Sequence, residues 1–153
     1  MKILFVCHGN ICRSPMAEFV MRDMLKSEKL DVSVASAATS TEEIGSRVHR
    51  GTRAKLAEHG ISTEGKYAVQ MTKQDYNEYD YIIGMDTMNI RNILRITGGD
   101  PEGKVHKLLS FAGSDSDIAD PWYTGNFDDT YDDVVKGCSA LIAMIKRGKQ
   151  YDG

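Results

Sequence analysis

The chain has 153 residues, 41% of them hydrophobic, and a net charge of -3 in which both signs are interspersed. That length and apolar content suit a single domain spanning 1–153, and the mixed charge excludes a broad basic surface for nucleic acid or anionic membrane. Three cysteines are too few, and odd in number, for a disulfide framework, so free thiols in a reducing, cytoplasmic setting are expected.

In chain order, Ile3-Leu4-Phe5-Val6 reads as a buried strand. The run is too short, and too soon broken by Gly9 and Asn10, for a signal peptide or membrane span. Ser14-Pro15 marks a helix start, a hydroxyl cap followed by proline, and Ala17, Val20, Met21 and Met24 then recur on one face to about Ser27. Further strands are expected over Val32–Ala35, Asp80–Met85 and Val105–Leu109. Helices are expected between and after them over Thr52–Glu58, Thr87–Ile96 and Thr130–Lys146, the last turning Val134, Cys138, Leu141, Ile142 and Ile145 inward. Strands alternating with helices imply crossover connections. The expected fold is α/β, a small doubly wound open sheet of about four parallel strands with helices on both faces.

Ligands of such sheets bind beyond the carboxyl ends of the strands, and the loop from Cys7 to Arg13 lies at such an end. It also feeds a helix N-terminus, where backbone N–H groups lack partners and the dipole favours negative charge. Gly9 and Asn10 tolerate the positive φ that a loop needs to turn its N–H groups inward. Arg13 adds a planar fork for two phosphate oxygens. A thiol at the base of this cradle is expected to be a thiolate at neutral pH, making Cys7 a nucleophile toward a bound phosphate monoester.

The stretch Val6-Cys7-His8-Gly9-Asn10-Ile11-Cys12-Arg13-Ser14-Pro15 resembles the phosphate-binding loop of the low-molecular-weight protein tyrosine phosphatases. The resemblance continues through Ser36, Glu43-Ile44-Gly45, His59-Gly60-Ile61, Met85-Asp86 and Asp120-Pro121-Trp122-Tyr123. It implies a cysteine-dependent phosphatase that hydrolyses protein phosphotyrosine and other aryl phosphate monoesters through a cysteinyl-phosphate. Cys7, Arg13 and Asp120 would be catalytic, and His8, Gly9, Asn10, Ile11, Cys12 and Ser14 would form the loop. Asp120 would be the general acid. Its residue type fits, because the leaving aryl oxide needs a proton, the hydrolytic water needs a base, and one carboxyl group can serve both steps. Pro121 biases the preceding residue toward an extended backbone.

By the same resemblance Asn10 holds the loop, Ser14 hydrogen-bonds the sulfur, and Ser36 and His59 support them, the alternative for His59 being a plain helix-end residue. Cys12 would form a reversible disulfide with the nucleophile. Trp122 and Tyr123 would line the cleft. The second wall would come from Thr41–His49, where many relatives place an aromatic residue and this chain offers Glu42, Glu43 and Arg47. The family often shows His and Arg where Lys66 and Val69 stand, so an altered loop support is expected.

Arginine phosphatases of the family have Thr where Ile11 stands, and Ile11 argues for phosphotyrosine. Arsenate reductases of similar fold need two further thiols on a mobile segment, and only Cys138 remains, on a helix expected to be packed. A non-catalytic phosphopeptide-binding module would require neither Cys7 nor Asp120. A thiol redox protein would carry Cys-x-x-Cys, a spacing Cys7 and Cys12 do not have. His8, His49, His59 and His106 are scattered without ligand spacing, so no metal and no cofactor is expected. The expected partner is a tyrosine-phosphorylated protein or peptide, met by a monomer or weak dimer, with no nucleic acid or membrane.

Overall fold

The computed structural model describes residues 1–152, with side chains through residue 148. Strand β1 (Lys2–Cys7) is central in a four-stranded sheet with β2 (Ser33–Ala38), β3 (Tyr81–Gly84) and β4 (Val105–Lys107), in the order β2-β1-β3-β4. Every pairing is parallel. Successive side chains of β1 point to opposite faces. Ile3, Phe5 and Cys7 enter a core built with α1 (Arg13–Ser27) and α6 (Phe127–Asp152). Leu4 and Val6 enter a smaller one with Ile82 and with Ile93 of α4 (Thr87–Thr97). The sheet is thus covered on both faces, and each fully buried Ile or Phe contributes about 1.5–3 kcal/mol.

Element ends depart from the sequence expectations where side chains take tertiary partners. β2 runs to Ala38 because Ala37 and Ala38 pair with Val6 and Cys7, and that pairing outweighs the weak strand preference of alanine. β4 stops at Lys107, where a 3-10 turn over Leu108–Ala112 buries Leu108 and ends at left-handed Gly113. α1 starts at Arg13 rather than with Ser14 as its cap, since the Ser14 hydroxyl is engaged by the loop before it. α2 (Arg50–Ala57) begins ahead of the expected Thr52 because the His49 ring accepts the Gly51 N–H and caps it. α6 likewise begins at Phe127, not Thr130. Two single-turn helices, α3 (Asp75–Glu78) and α5 (Pro121–Thr124), are too short for apolar periodicity to reveal. Among the described residues no helix is long and apolar enough to cross a membrane.

Candidate active site

β1 has β2 on one side and β3 on the other. The loop leaving β1 therefore lies where the crossovers diverge, at the carboxyl edge of the sheet. Asn10 turns this loop with φ of 58°, a left-handed conformation that asparagine tolerates through local hydrogen bonds. Those bonds are present. Asn10 Nδ2 donates to Ser14 Oγ at 2.8 Å and to Ser36 Oγ at 2.9 Å, and its Oδ1 accepts the Val69 N–H at 3.2 Å.

Cys7 Sγ is 3.0 Å from Ser14 Oγ and accepts the Ser14 N–H at 3.4 Å. Because Ser14 Oγ already accepts from Asn10, its own proton is free to point at the sulfur. Arg13 is 3% exposed and fixed from behind: Nη1 donates to Asp86 Oδ2 at 2.7 Å and to the Ile118 carbonyl at 2.8 Å, and Nη2 reaches Asp120 Oδ2 at 3.5 Å. Burial by itself would lower the guanidinium pKa, but the Cys7 sulfur and the Asp86 and Asp120 carboxylates outweigh it and hold it above its ordinary value. Asp86 caps α4 through a reciprocal box with Asn89, which fixes the carboxylate behind Arg13. Asp120 caps α5 by accepting the Trp122 N–H at 3.1 Å, with Pro121 next in the helix.

These residues open into one cleft, with the buried Cys7 and Arg13 at its floor and Ile11, Glu42, Glu43, Asp120, Trp122 and Tyr123 around it. The anion cradle, a sulfur and a carboxyl group face the same space. His8 lines the cleft with Nε2 3.0 Å from Glu42 Oε2, and a Cβ at Gly9 would stand in ordinary contact with the Glu43 side chain, at 3.5 Å. Cys12 is 4% exposed, and burial, with the charges of Cys7 and Asp120, pushes its thiol up to about 12. Cys138 lies wholly within the core, so the packed position expected for it holds. Among the described residues no cluster of three or more potential ligands could hold a metal ion.

Two expectations need correction. His59 is not part of the loop support, because its ring stacks on Tyr131 with centroids 4.3 Å apart at the far end of α2. Arg47 does not line the cleft. Its backbone bridges to Tyr67 and its side chain borders a separate groove.

Support beneath the loop comes instead from Lys66, whose Nζ donates to the Ser36 carbonyl at 2.8 Å and lies 3.5 Å from Glu18 Oε1. Glu18 is buried and also takes Ser36 Oγ and Arg22. His49 has no catalytic signature in the sequence, yet its N–H holds the Ile11 carbonyl at 2.8 Å. Its ring meets Trp122 edge-on at 5.5 Å and stacks on Phe127 at 5.3 Å.

A family model described as low molecular weight phosphotyrosine protein phosphatase matches residues 2–151. The chain belongs to that family. The phosphatase is 40% identical to the low molecular weight protein-tyrosine-phosphatase YfkJ of Bacillus subtilis (strain 168), with 97% of each chain covered. A crystal structure of YfkJ superposes with a TM-score of 0.93 over 97% of this chain and 96% of that one. PtpA of Staphylococcus aureus (strain Newman) is 41% identical over 94% of this chain and 92% of its own. A structure of the arginine phosphatase YwlE from Bacillus subtilis, a Cys-to-Ser mutant with a phosphorylated active-site serine, is 27% identical with a TM-score of 0.87 over 98% of this chain and 99% of that one. The sequence-based expectations of an α/β fold and of a cysteine-dependent protein phosphatase are borne out.

Proposed function

We propose that this phosphatase hydrolyses protein phosphotyrosine and related aryl phosphate monoesters at the cleft above Cys7, the single domain carrying the whole activity in the cytoplasm. The observation that carries the reading is the convergence of Cys7, Arg13 at the N-terminus of α1, and Asp120 on one cleft.

In the first step the sulfur forms a bond to phosphorus while the bond from phosphorus to the aryl oxygen breaks. Asp120 gives that oxygen its proton. Loop N–H groups and Arg13 balance the charge on the three equatorial oxygens. In the second step the Asp120 carboxylate takes a proton from water, the water oxygen bonds to phosphorus, and the sulfur leaves with its electron pair. Inorganic phosphate is released and no cofactor enters. Ser14 supplies a donor to the departing sulfur. The phosphorylated active-site serine in the YwlE mutant supports a covalent phospho-intermediate at the equivalent step.

Ile11 offers an apolar wall on the cleft, which suits an aryl ring better than a phosphoguanidinium group. Steady-state turnover of matched phosphotyrosine, phosphoserine and phosphoarginine peptides, with a chelator present, tests the reading. Phosphotyrosine is expected to give the highest kcat/KM, and Cys7→Ser to abolish turnover while still binding vanadate. A preference for phosphoarginine, or turnover by Cys7→Ser, would overturn it.

A further inference from the structure

Asp120 stands at the end of a stretch, residues 114–120, that has no helix or strand of its own. A carboxyl group that must meet a leaving oxygen needs a fixed backbone, and here no ladder of main-chain bonds supplies one. Part of the hold is main-chain: the Ile118 N–H donates to the Met85 carbonyl at 2.9 Å, and the Ile118 carbonyl accepts Arg13 Nη1 at 2.8 Å. The Ala119 carbonyl accepts the Thr130 hydroxyl at 3.3 Å. The rest is made by side chains outside the cleft. Asp117 Oδ1 accepts the Thr87 N–H at 3.1 Å, the Thr87 hydroxyl at 3.2 Å and Lys107 Nζ at 3.0 Å. The Lys107 ammonium also donates to Thr87 Oγ1 at 3.3 Å and to the Asp115 carbonyl, so each of its three protons has an acceptor.

Lys107 is the last residue of β4, its side chain is 19% exposed, and it grips the irregular stretch at two residues. Stability does not account for this arrangement. An ion pair with a half-exposed carboxylate contributes little to folding, and α4 has its cap in the Asp86 and Asn89 box without Asp117. What the contacts do is refer two functional groups to one turn. In three consecutive residues the Met85 carbonyl holds Ile118, the Asp86 carboxylate holds Arg13, and Thr87 holds Asp117. The turn after β3 therefore spaces the phosphate-binding guanidinium from the segment that carries the acid.

We propose that Lys107 and Thr87, acting through Asp117, form a clasp that holds Asp120 over the leaving oxygen of the bound ester. The inference rests on the reading of Asp120 as the general acid. All three are positioning residues, since none of them lines the cleft. Without the ammonium, Ile118 keeps its place in the core and Arg13 keeps Asp86, so the phosphate cradle survives. The direction in which the chain leaves Ile118 toward Asp120 is then less defined. A displacement of about 1 Å can cost about 10²-fold, and the whole acid is worth about 10²- to 10⁴-fold. An acid that is present but loosened is expected to cost about 10-fold in kcat on a tyrosine peptide.

The test is single-turnover formation of cysteinyl-phosphate from aryl phosphates whose phenols range from strongly acidic to tyrosine-like. The parent, Lys107→Met and Asp117→Ala are compared, each also in the Asp120→Asn background. Methionine keeps the apolar stem of the lysine, and alanine at the half-exposed position 117 removes the shared acceptor, so either variant can carry the test if the other does not fold. Vanadate Kd within about 2-fold of the parent identifies variants whose cradle is intact. Both variants are expected to match the parent on the most acidic phenol and to fall about 10-fold behind on the tyrosine-like one, which alone needs the proton. In the Asp120→Asn background the same substitutions are expected to change nothing, because the residue they act through is gone. Equal losses on every phenol, no loss on any, or a loss that persists in that background would overturn the proposal. If Asp120→Asn itself shows no dependence on the phenol, the reading of Asp120 as the acid fails and the clasp falls with it. A steep dependence in Asp120→Asn with none in the two clasp variants overturns the clasp alone.

Discussion

Asp120 holds two positions at once. One oxygen caps α5 and the other faces Arg13, so a loss on replacing it could come from chemistry, from the cap or from the arginine. The leaving group separates these. With a tyrosine peptide, whose phenol is a poor leaving group, Asp120→Asn is expected to lose on the order of 10²- to 10⁴-fold in kcat. With an activated aryl phosphate the oxide departs with little protonation, so cysteinyl-phosphate should form almost as fast as in the parent, giving a burst of phenol before a slow steady state. Asparagine still accepts the Trp122 N–H, and Asp86 still holds Arg13 at 2.7 Å, so the phosphate cradle remains. Single-turnover kinetics on the two substrates checks this. Equal losses on both would assign the effect to positioning.

Between helices and strands, the loop is held by pieces distant in the chain. Lys66 lies in the irregular segment after α2 and reaches the Ser36 carbonyl and Glu18 with a side chain only 13% exposed. Burial lowers the pKa of Lys66, and Glu18 opposes that shift. Lys66→Met would leave Glu18 with Arg22 and Ser36 and remove the donor to the Ser36 carbonyl. A destabilisation of about 1–3 kcal/mol is expected, measured by urea unfolding, with kcat falling further than the Kd for vanadate because Ser36 helps hold Asn10. Unchanged kcat and unchanged unfolding would show that the lysine is a bystander.

The same elements show what could be read from sequence. β1 was legible within a residue and the start of α1 within two, because periodicity, Gly9-Asn10 and Ser14-Pro15 are local signals. Lys66 beneath Asn10 was not, because a lysine in an irregular segment carries no sign of the acid that it will meet. His49 was missed for a similar reason, since its cap, its hold on Ile11 and its stacking on Phe127 exist only after α2 and α6 are assembled. His59 follows its helix-end reading and not the support role that the resemblance implies, because the Tyr131 ring decides where this imidazole packs.

Across the whole molecule, α6 closes the core over the 3-10 turn, and Gly137 marks the closest approach. A Cβ there would overlap the Leu108 side chain, and Leu108 is fully buried. Gly137→Ala should gain about 1 kcal/mol in helix propensity and lose about 1–3 kcal/mol to overpacking. A net fall in stability is expected, read as a Tm lower by a few degrees, with kcat/KM on an activated aryl phosphate retained. A higher Tm would mean that Leu108 has room to move. The cleft depends on this closure, for it draws Cys7 from β1, Asn10 from the loop, Ser36 from β2, Lys66 from the segment after α2, Asp86 from the turn after β3 and Asp120 from the segment before α6. On the ribosome Cys7 emerges first, and Asp120 and α6 emerge last. Through most of synthesis the future nucleophile is therefore an ordinary thiol on an unfinished chain, with neither its acid nor its roof in place. Refolding from denaturant recreates that interval, so recovery of activity should depend strongly on a reductant during the first moments and hardly at all once α6 has docked.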